Sequence, residues 1–184
     1  MQIDTDKMAQ ECIDAINERI RNLKNLNIIV VGKSGVGKST LINSLFRGHF
    51  ADTGLGRPVT SKIRKIVKKD YPLAIYDTPG FELSAGQQDK VKDEILDIIS
   101  KGFASKDINQ YIHCIWYCVN VGANRTFDES EVKWLREFSE ANKVTQVPII
   151  IVLTQAVPKK KAAEMKTLVE KENLDIVKVV PLLA

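Results

Sequence analysis

Gly32-Lys33-Ser34-Gly35-Val36-Gly37-Lys38-Ser39 is the stretch that decides the fold. It meets G-x-x-x-x-G-K-[ST] at every fixed position. The residues before it, Asn27-Ile-Ile-Val-Val31, are apolar and β-branched, and read as a buried strand. Those after it, Thr40 to Phe46, place Leu41, Leu45 and Phe46 at helical spacing, with Gly48 where a helix would stop. Strand, glycine loop and helix together give the pattern a mechanism. The loop can wrap closely, so that amides of Gly32, Ser34, Gly35, Val36 and Gly37 face an anion. The helix that follows, from Thr40, adds its positive end. Lys38 is then expected to reach β- and γ-phosphates, and the Ser39 hydroxyl to hold Mg²⁺.

The chain has 184 residues, enough for one α/β domain with a core. Hydrophobic residues make up 44% and charged residues 27%, which is ordinary for a globular protein and excludes a disordered or collagen-like chain. No apolar run approaches the roughly 20 residues of a membrane-spanning helix. The opening MQIDTDKMAQECID is acidic and polar, unlike a secretory signal. The net charge of +4 permits contact with RNA or anionic lipid without arguing for either. Cys12, Cys114 and Cys118 form no framework spacing, so reduced thiols and a cytoplasmic setting are expected. His49 and His113 have no ligand cluster nearby in sequence and read as structural or surface residues.

Residues 6–25 read as an amphipathic helix, with Ile13, Ile16, Ile20 and Leu23 recurring at three- and four-residue steps. We expect residues 1–26 to pack on the domain's flank; the alternative is a linker or dimer helix. Lys62–Lys68 and Leu73–Asp77 read as strands, close enough in sequence to pair antiparallel. Further helices are expected over Gln87–Lys101 with Gly102 as the stop, Asp128–Ala141 with Asp128 as cap, and from Pro158 to Lys171. Strands are expected at Ile112–Val119, Pro148–Leu153 and Val177–Leu183. Alternating strands and helices imply a three-layer α/β fold, with a mostly parallel six-stranded sheet and one antiparallel edge strand. Ligands of such sheets bind at the carboxyl ends of the strands.

A second motif falls at that edge. Asp77-Thr-Pro-Gly80 closes the third strand. The carboxylate of Asp77 is placed to hold Mg²⁺ through water, and Gly80 can bring its backbone N–H to a γ-phosphate.

GKSGVGKSTLINSLF together with DTPGF resembles the TRAFAC-class P-loop GTPases, the Era-like, septin and Toc-like branches in particular. The resemblance runs from about Asn27 to the end of the chain. It implies a G domain over 27–184 that binds GTP or GDP with Mg²⁺. It also implies that a loop threonine caps Mg²⁺ and touches the γ-phosphate. Thr60 is the candidate for that catalytic and metal-holding role, with Thr53 and Ser61 as rivals. Lys38 and Gly80 complete the catalytic set.

Two departures matter. Phe81 stands where Ras-like enzymes have a water-orienting glutamine, which implies slow turnover; Gln87, Gln88 or a partner chain would then supply the group. The base motif [NT]-K-x-D is replaced by Thr154-Gln155-Ala156-Val157, and a valine cannot accept the hydrogen bonds of guanine. Thr154, Gln155 and the backbone of Ala184 are the remaining base-site residues, and ATP use stays open. The resemblance further implies a homodimer through the nucleotide face, with Arg125 either a solvated loop arginine or a contact across it. It also implies a ribosome or RNA partner, whose phosphates the charge runs Lys62, Arg64, Lys65, Lys68, Lys69 and Lys159–Lys161 would meet; the alternative for these runs is a plain wet face. A nucleotide-dependent assembly module with little hydrolysis is the reading from a different class. The chain stops near the base-contacting strand, so we expect it to belong to a longer protein.

Overall fold

The computed structural model describes residues 5–48, 62–80, 85–122, 127–157 and 159–182. The helix α1, Thr5–Arg21, precedes the strand β1, Leu26–Val31, and α2, Lys38–Phe46. Next come β2, Arg64–Val67; β3, Leu73–Asp77; α3, Ala85–Ala104; and a 3₁₀ turn, Ile108–Gln110. The chain continues through β4, Cys114–Asn120; α4, Glu129–Ala141; β5, Ile149–Thr154; α5, Lys159–Lys171; and β6, Lys178–Pro181.

The six strands form one sheet in the order β2-β3-β1-β4-β5-β6. Every pairing is parallel except β2 with β3, which is antiparallel with Ile66 opposite Ile75. The expected sheet and its reversed edge strand are therefore present. Central strands of such a sheet are covered on both faces, which requires continuous apolar runs. Ile28, Ile29, Val30 and Val31 of β1 are all buried.

One face carries Val91, Ile95 and Ile99 of α3, Trp134, Leu135 and Phe138 of α4, and Met165 and Val169 of α5. The other face carries Leu41, Ile42 and Phe46 of α2 over Ile28, Val30 and Ile75. Trp134 stacks on Phe138 with ring centroids 5.0 Å apart, closing the α4 side of the core. No helix among the described residues is long and apolar enough to cross a membrane.

Two local expectations change. Gly102 does not stop α3, which runs on to Ala104. Its place follows from packing instead, because a Cβ there would collide with the carbonyl oxygen of Gln110 in the 3₁₀ turn. That turn has its own cap: the Asp107 carboxylate accepts the Asn109 amide at 2.9 Å. The stop of α2 falls at Gly48 as expected: the helix ends at Phe46, Arg47 takes the left-handed position at φ 48°, and the Gly48 amide donates to the Asn43 carbonyl at 3.1 Å. The second change concerns α1. It is helical as expected, yet Ile13 is 50% and Ile20 59% exposed, so these two side chains are not packed on the domain's flank. The link from α1 to β1 is tied down at its end, where the Lys24 amide donates to Asn109 Oδ1 at 2.7 Å.

His113 is structural, as expected. Its Nδ1 accepts the Asn27 amide at 2.9 Å, and the Asn27 side chain donates to the carbonyls of Asn109 and Tyr111.

Candidate functional site

The carboxyl ends of β1, β3, β4 and β5 lie on one edge of the sheet, with Val30 beside Asp77 and Asn120 beside Thr154. The glycine loop leaves β1 at this edge and enters α2. Gly32, Gly35 and Gly37 take φ of 146°, 71° and 95°, values that side chains resist. Gly37 is the residue before α2 begins, so the first turn of that helix opens directly from the loop. A helix start leaves backbone N–H groups without intrahelical partners, and these favour an anion.

Lys38 is the first residue of α2 and is 7% exposed. Its ammonium donates to the carbonyls of Gly32 at 2.8 Å and Lys33 at 3.0 Å. Burial lowers its pKa below the ordinary lysine value, and the nearby Cys118 and Asp77 pull it back up. A cation is thus folded against the mouth of the loop by two weak acceptors. The Cys118 thiol beneath it is fully buried, and that burial pushes its pKa up to about 12, which leaves it an inert core residue.

Asp77 is buried at the tip of β3. One of its carboxylate oxygens lies 3.8 Å from Arg64 Nε on the antiparallel neighbour. The next residue, Thr78, is fully buried and donates its hydroxyl to the Val30 carbonyl at 2.8 Å, which fixes the turn leaving β3 against β1. That turn brings Gly80 onto the loop. A Cβ on Gly80 would sit 2.6 Å from Ser34 Cα, 2.9 Å from the Ser34 amide nitrogen and 3.1 Å from Lys38 Nζ. Only glycine permits so close an approach. The two motifs, 45 or so positions apart in sequence, therefore meet in space.

These residues fit a magnesium ion and its phosphates. Ser39 in the first turn of α2 and Asp77 at the end of β3 offer the hard oxygen donors that Mg²⁺ prefers. Gly80 leaves open a cradle that a Cβ would fill.

On the other side of the loop, Thr154 at the end of β5 is 1% exposed. Its hydroxyl donates to the Val36 carbonyl at 2.5 Å and lies 3.2 Å from the Val119 carbonyl. Thr154 thus braces the phosphate loop from below. Gln155 follows at φ 51° and is exposed; its side-chain oxygen lies against Gly122. Val157 is 64% exposed. Thr60, with its rivals Thr53 and Ser61, lies outside the described residues, as do Phe81, Arg125 and Ala184.

Part of the basic run is engaged within the domain. Lys68 donates to the Phe46 carbonyl at 2.7 Å and lies over the Tyr71 ring, and Lys65 lies over Tyr76. Lys159, Lys160 and Lys161 are exposed.

Two features went unread in the sequence. Thr78 carried no signal beyond its place in Asp77-Thr-Pro-Gly80. Lys33 makes the other: its ammonium binds Asp128 Oδ2 at 2.5 Å and Glu131 Oε2 at 3.2 Å. Asp128 was legible as a cap, and Glu131 three residues on completes a capping box, but nothing in the spacing names Lys33 as their partner.

A glycine loop between β1 and α2, an Asp at the tip of the adjacent strand, and a mostly parallel sheet with one reversed edge define a P-loop G domain. A family model described as "50S ribosome-binding GTPase" matches residues 27–155, and the chain belongs to that family. It is 30% identical over 110 residues to the "Probable GTP-binding protein EngB" of Methanopyrus kandleri, covering 59% of this chain and 51% of that one. It is 27% identical over 193 aligned residues to neuronal-specific septin-3 of Danio rerio, covering 87% of this chain and 51% of the septin. The chain thus spans about half the length of these relatives. Among solved structures, Toc33 from Arabidopsis thaliana in complex with GDP and Mg²⁺ superposes with a TM-score of 0.55 at 18% identity, over 89% of this chain and 74% of that one; this likeness shows the shared fold.

Proposed function

We propose that this chain is the G domain of a Mg²⁺-dependent GTP-binding protein that hydrolyses GTP slowly and works as a switch. The observation that carries the reading is Lys38. A buried ammonium, held by carbonyls of the loop that opens α2, is set where a triphosphate would replace those acceptors with stronger ones. The loop amides, Lys38 and the first-turn Ser39 bind and orient the phosphates, and Thr40 extends the same turn. Gly80 approaches from β3, where its N–H can meet the γ-phosphate. The bound Mg²⁺ would be held by Ser39, by Thr60 and, through water, by Asp77, and would neutralise phosphate charge. A water oxygen attacks the γ-phosphorus, the bond to the β-γ bridging oxygen breaks, and GDP and inorganic phosphate leave. Positioning and charge neutralisation supply most of the rate.

Phe81 follows Gly80 in sequence and cannot orient water, so low intrinsic activity and activation by dimerisation or a partner belong to this reading. The family description supports a ribosome or ribosomal RNA as partner; the cytoplasm as the place of work belongs to the same reading. So does a homodimer through the nucleotide face. Residues 49–61 and 80–84, up to the start of α3, are proposed to order around the γ-phosphate and relax after hydrolysis.

A second reading rests on Val157. An exposed valine stands where guanine would meet a carboxylate, and Gln155 stands in the lysine position. Thr154, Gln155 and Ala184 would then select guanine weakly, and ATP would compete. Phosphate release measured with GTP and with ATP, at rising protein concentration, tests both readings. Turnover per subunit that rises with concentration supports dimer-activated hydrolysis of GTP. A flat and negligible rate with intact binding would leave an assembly module.

A further inference from the structure

Lys33 lies inside the phosphate loop, yet its ammonium is bound by carboxylates of another element. It reaches 95 positions along the chain to Asp128, the N-cap of α4, and to Glu131 in the first turn of that helix. Asp128 accepts the amides of Ser130 and Glu131, and Glu131 accepts the Asp128 amide at 3.3 Å, so both carboxylates are fixed by the capping box. Glu131 is 3% exposed, and its other oxygen accepts the Tyr117 hydroxyl of β4 at 3.3 Å. The cluster is therefore anchored to the sheet as well as to α4. At the other end, the carbonyl of Lys33 is one of the two that Lys38 rests on. A continuous chain of contacts runs from Tyr117 through Glu131 and the Lys33 side chain to the phosphate-reaching ammonium of Lys38.

We propose that Lys33 is a positioning residue: its side chain, moored on Asp128 and Glu131, fixes the loop carbonyl that holds Lys38 and so sets the affinity of the loop for a nucleoside triphosphate. This inference rests on the nucleotide-binding reading above. A flexible loop would lose entropy on wrapping a phosphate, and a mooring removes that cost beforehand. The mooring is also charge-sensitive. Burial pushes the Glu131 carboxyl above its usual range, against the pull of Lys33. The charged or titratable groups facing Glu131 are Lys33, Asp128 and Tyr117. Protonation of Glu131 as pH falls weakens its hold on Lys33 while Asp128, kept acidic by Lys33 and Ser130 despite burial, still binds it.

The test uses the full chain, with GTP and Mg²⁺ titrated calorimetrically into wild type, Lys33→Met, Lys33→Arg and Glu131→Gln, and with melting temperatures recorded for each. Lys33→Met should weaken binding about tenfold. Lys33→Arg, which keeps the ion pairs, should restore it to within about threefold. Glu131→Gln should weaken it in the same direction. The difference between wild type and Glu131→Gln should shrink as pH falls toward the raised Glu131 pKa; taking the difference cancels the nucleotide's own titration. If Lys33→Met does not fold, Glu131→Gln and Lys33→Arg carry the test.

Variants that lose melting temperature but bind GTP within about twofold of wild type would make the cluster merely structural and overturn the proposal. Tighter binding by Glu131→Gln would also overturn it, because Lys33 would then be a phosphate ligand held back by its carboxylates. A wild-type chain that binds no nucleotide overturns the reading beneath both. Normal wild-type binding with unaltered variants overturns this inference alone.

Discussion

The hydroxyl of Thr154 donates to the carbonyl of Val36, 118 positions away, at 2.5 Å. One buried side chain at the end of β5 thereby supports the crest of the phosphate loop. The geometry gives this residue a bracing role, beside the part in the base site proposed for it. Replacing it with the isosteric Thr154→Val leaves the Val36 carbonyl without that donor. We expect a loss of about 1–2 kcal/mol in stability from urea denaturation, with weaker nucleotide binding. Unchanged values in both would mean that the contact contributes nothing.

Lys38→Ala removes the ammonium at the mouth of the loop. A ligand present at about 100 times its Kd stabilises a folded protein by roughly 2.7 kcal/mol. The wild type should show that shift in melting temperature with GTP and Mg²⁺, and the variant should show none. An equal shift in the variant would place the triphosphate elsewhere.

Val157→Asp supplies the carboxylate that guanine is expected to meet. The ratio of GTP to ATP affinity should rise by tenfold or more, because a site that hydrogen-bonds a polar edge discriminates strongly against ligands lacking it. A constant ratio in a competition assay would mean that residue 157 does not face the base.

Phe138 is fully buried and stacks on Trp134. Phe138→Ala should cost about 3–5 kcal/mol. Indole fluorescence reports the transition, since Trp134 is buried against the missing ring.

Stability should also depend on His113. Burial holds its pKa below the ordinary value of 6.5, against the backbone contacts that raise it. The unfolded chain therefore takes up a proton more readily than the folded one. The stabilisation is complete above pH 6.5 and is lost as pH falls from there through the lower folded pKa. His113→Gln should flatten this part of the profile between pH 7 and 5.5, measured by denaturant midpoints; an identical slope in the two proteins would remove the effect.

The sequence made the sheet legible because its strands are apolar, β-branched runs separated by polar turns. The phosphate loop was legible because glycine spacing, Lys38 and Ser39 are local. The hairpin of β2 and β3 followed from the short turn between them, and the α4 cap from Asp128. What escaped was non-local. The role of Gly102 depends on Gln110 packing over α3, and the 3₁₀ turn there has too few residues to show a period. The exposure of Ile13 and Ile20 was hidden too, since an amphipathic pattern predicts a stripe without saying what covers it. The Lys33 mooring joins two elements that share no sequence signal. Lys68 and Lys65 read as a basic face, yet each lies over a tyrosine ring that only the folded hairpin brings near.

The most direct measurement is the heat of mixing GTP with the purified, folded chain in magnesium buffer. The account predicts saturable binding of one nucleotide per chain that disappears in Lys38→Ala. No heat with GTP or ATP from a sample with an intact melting transition would contradict it.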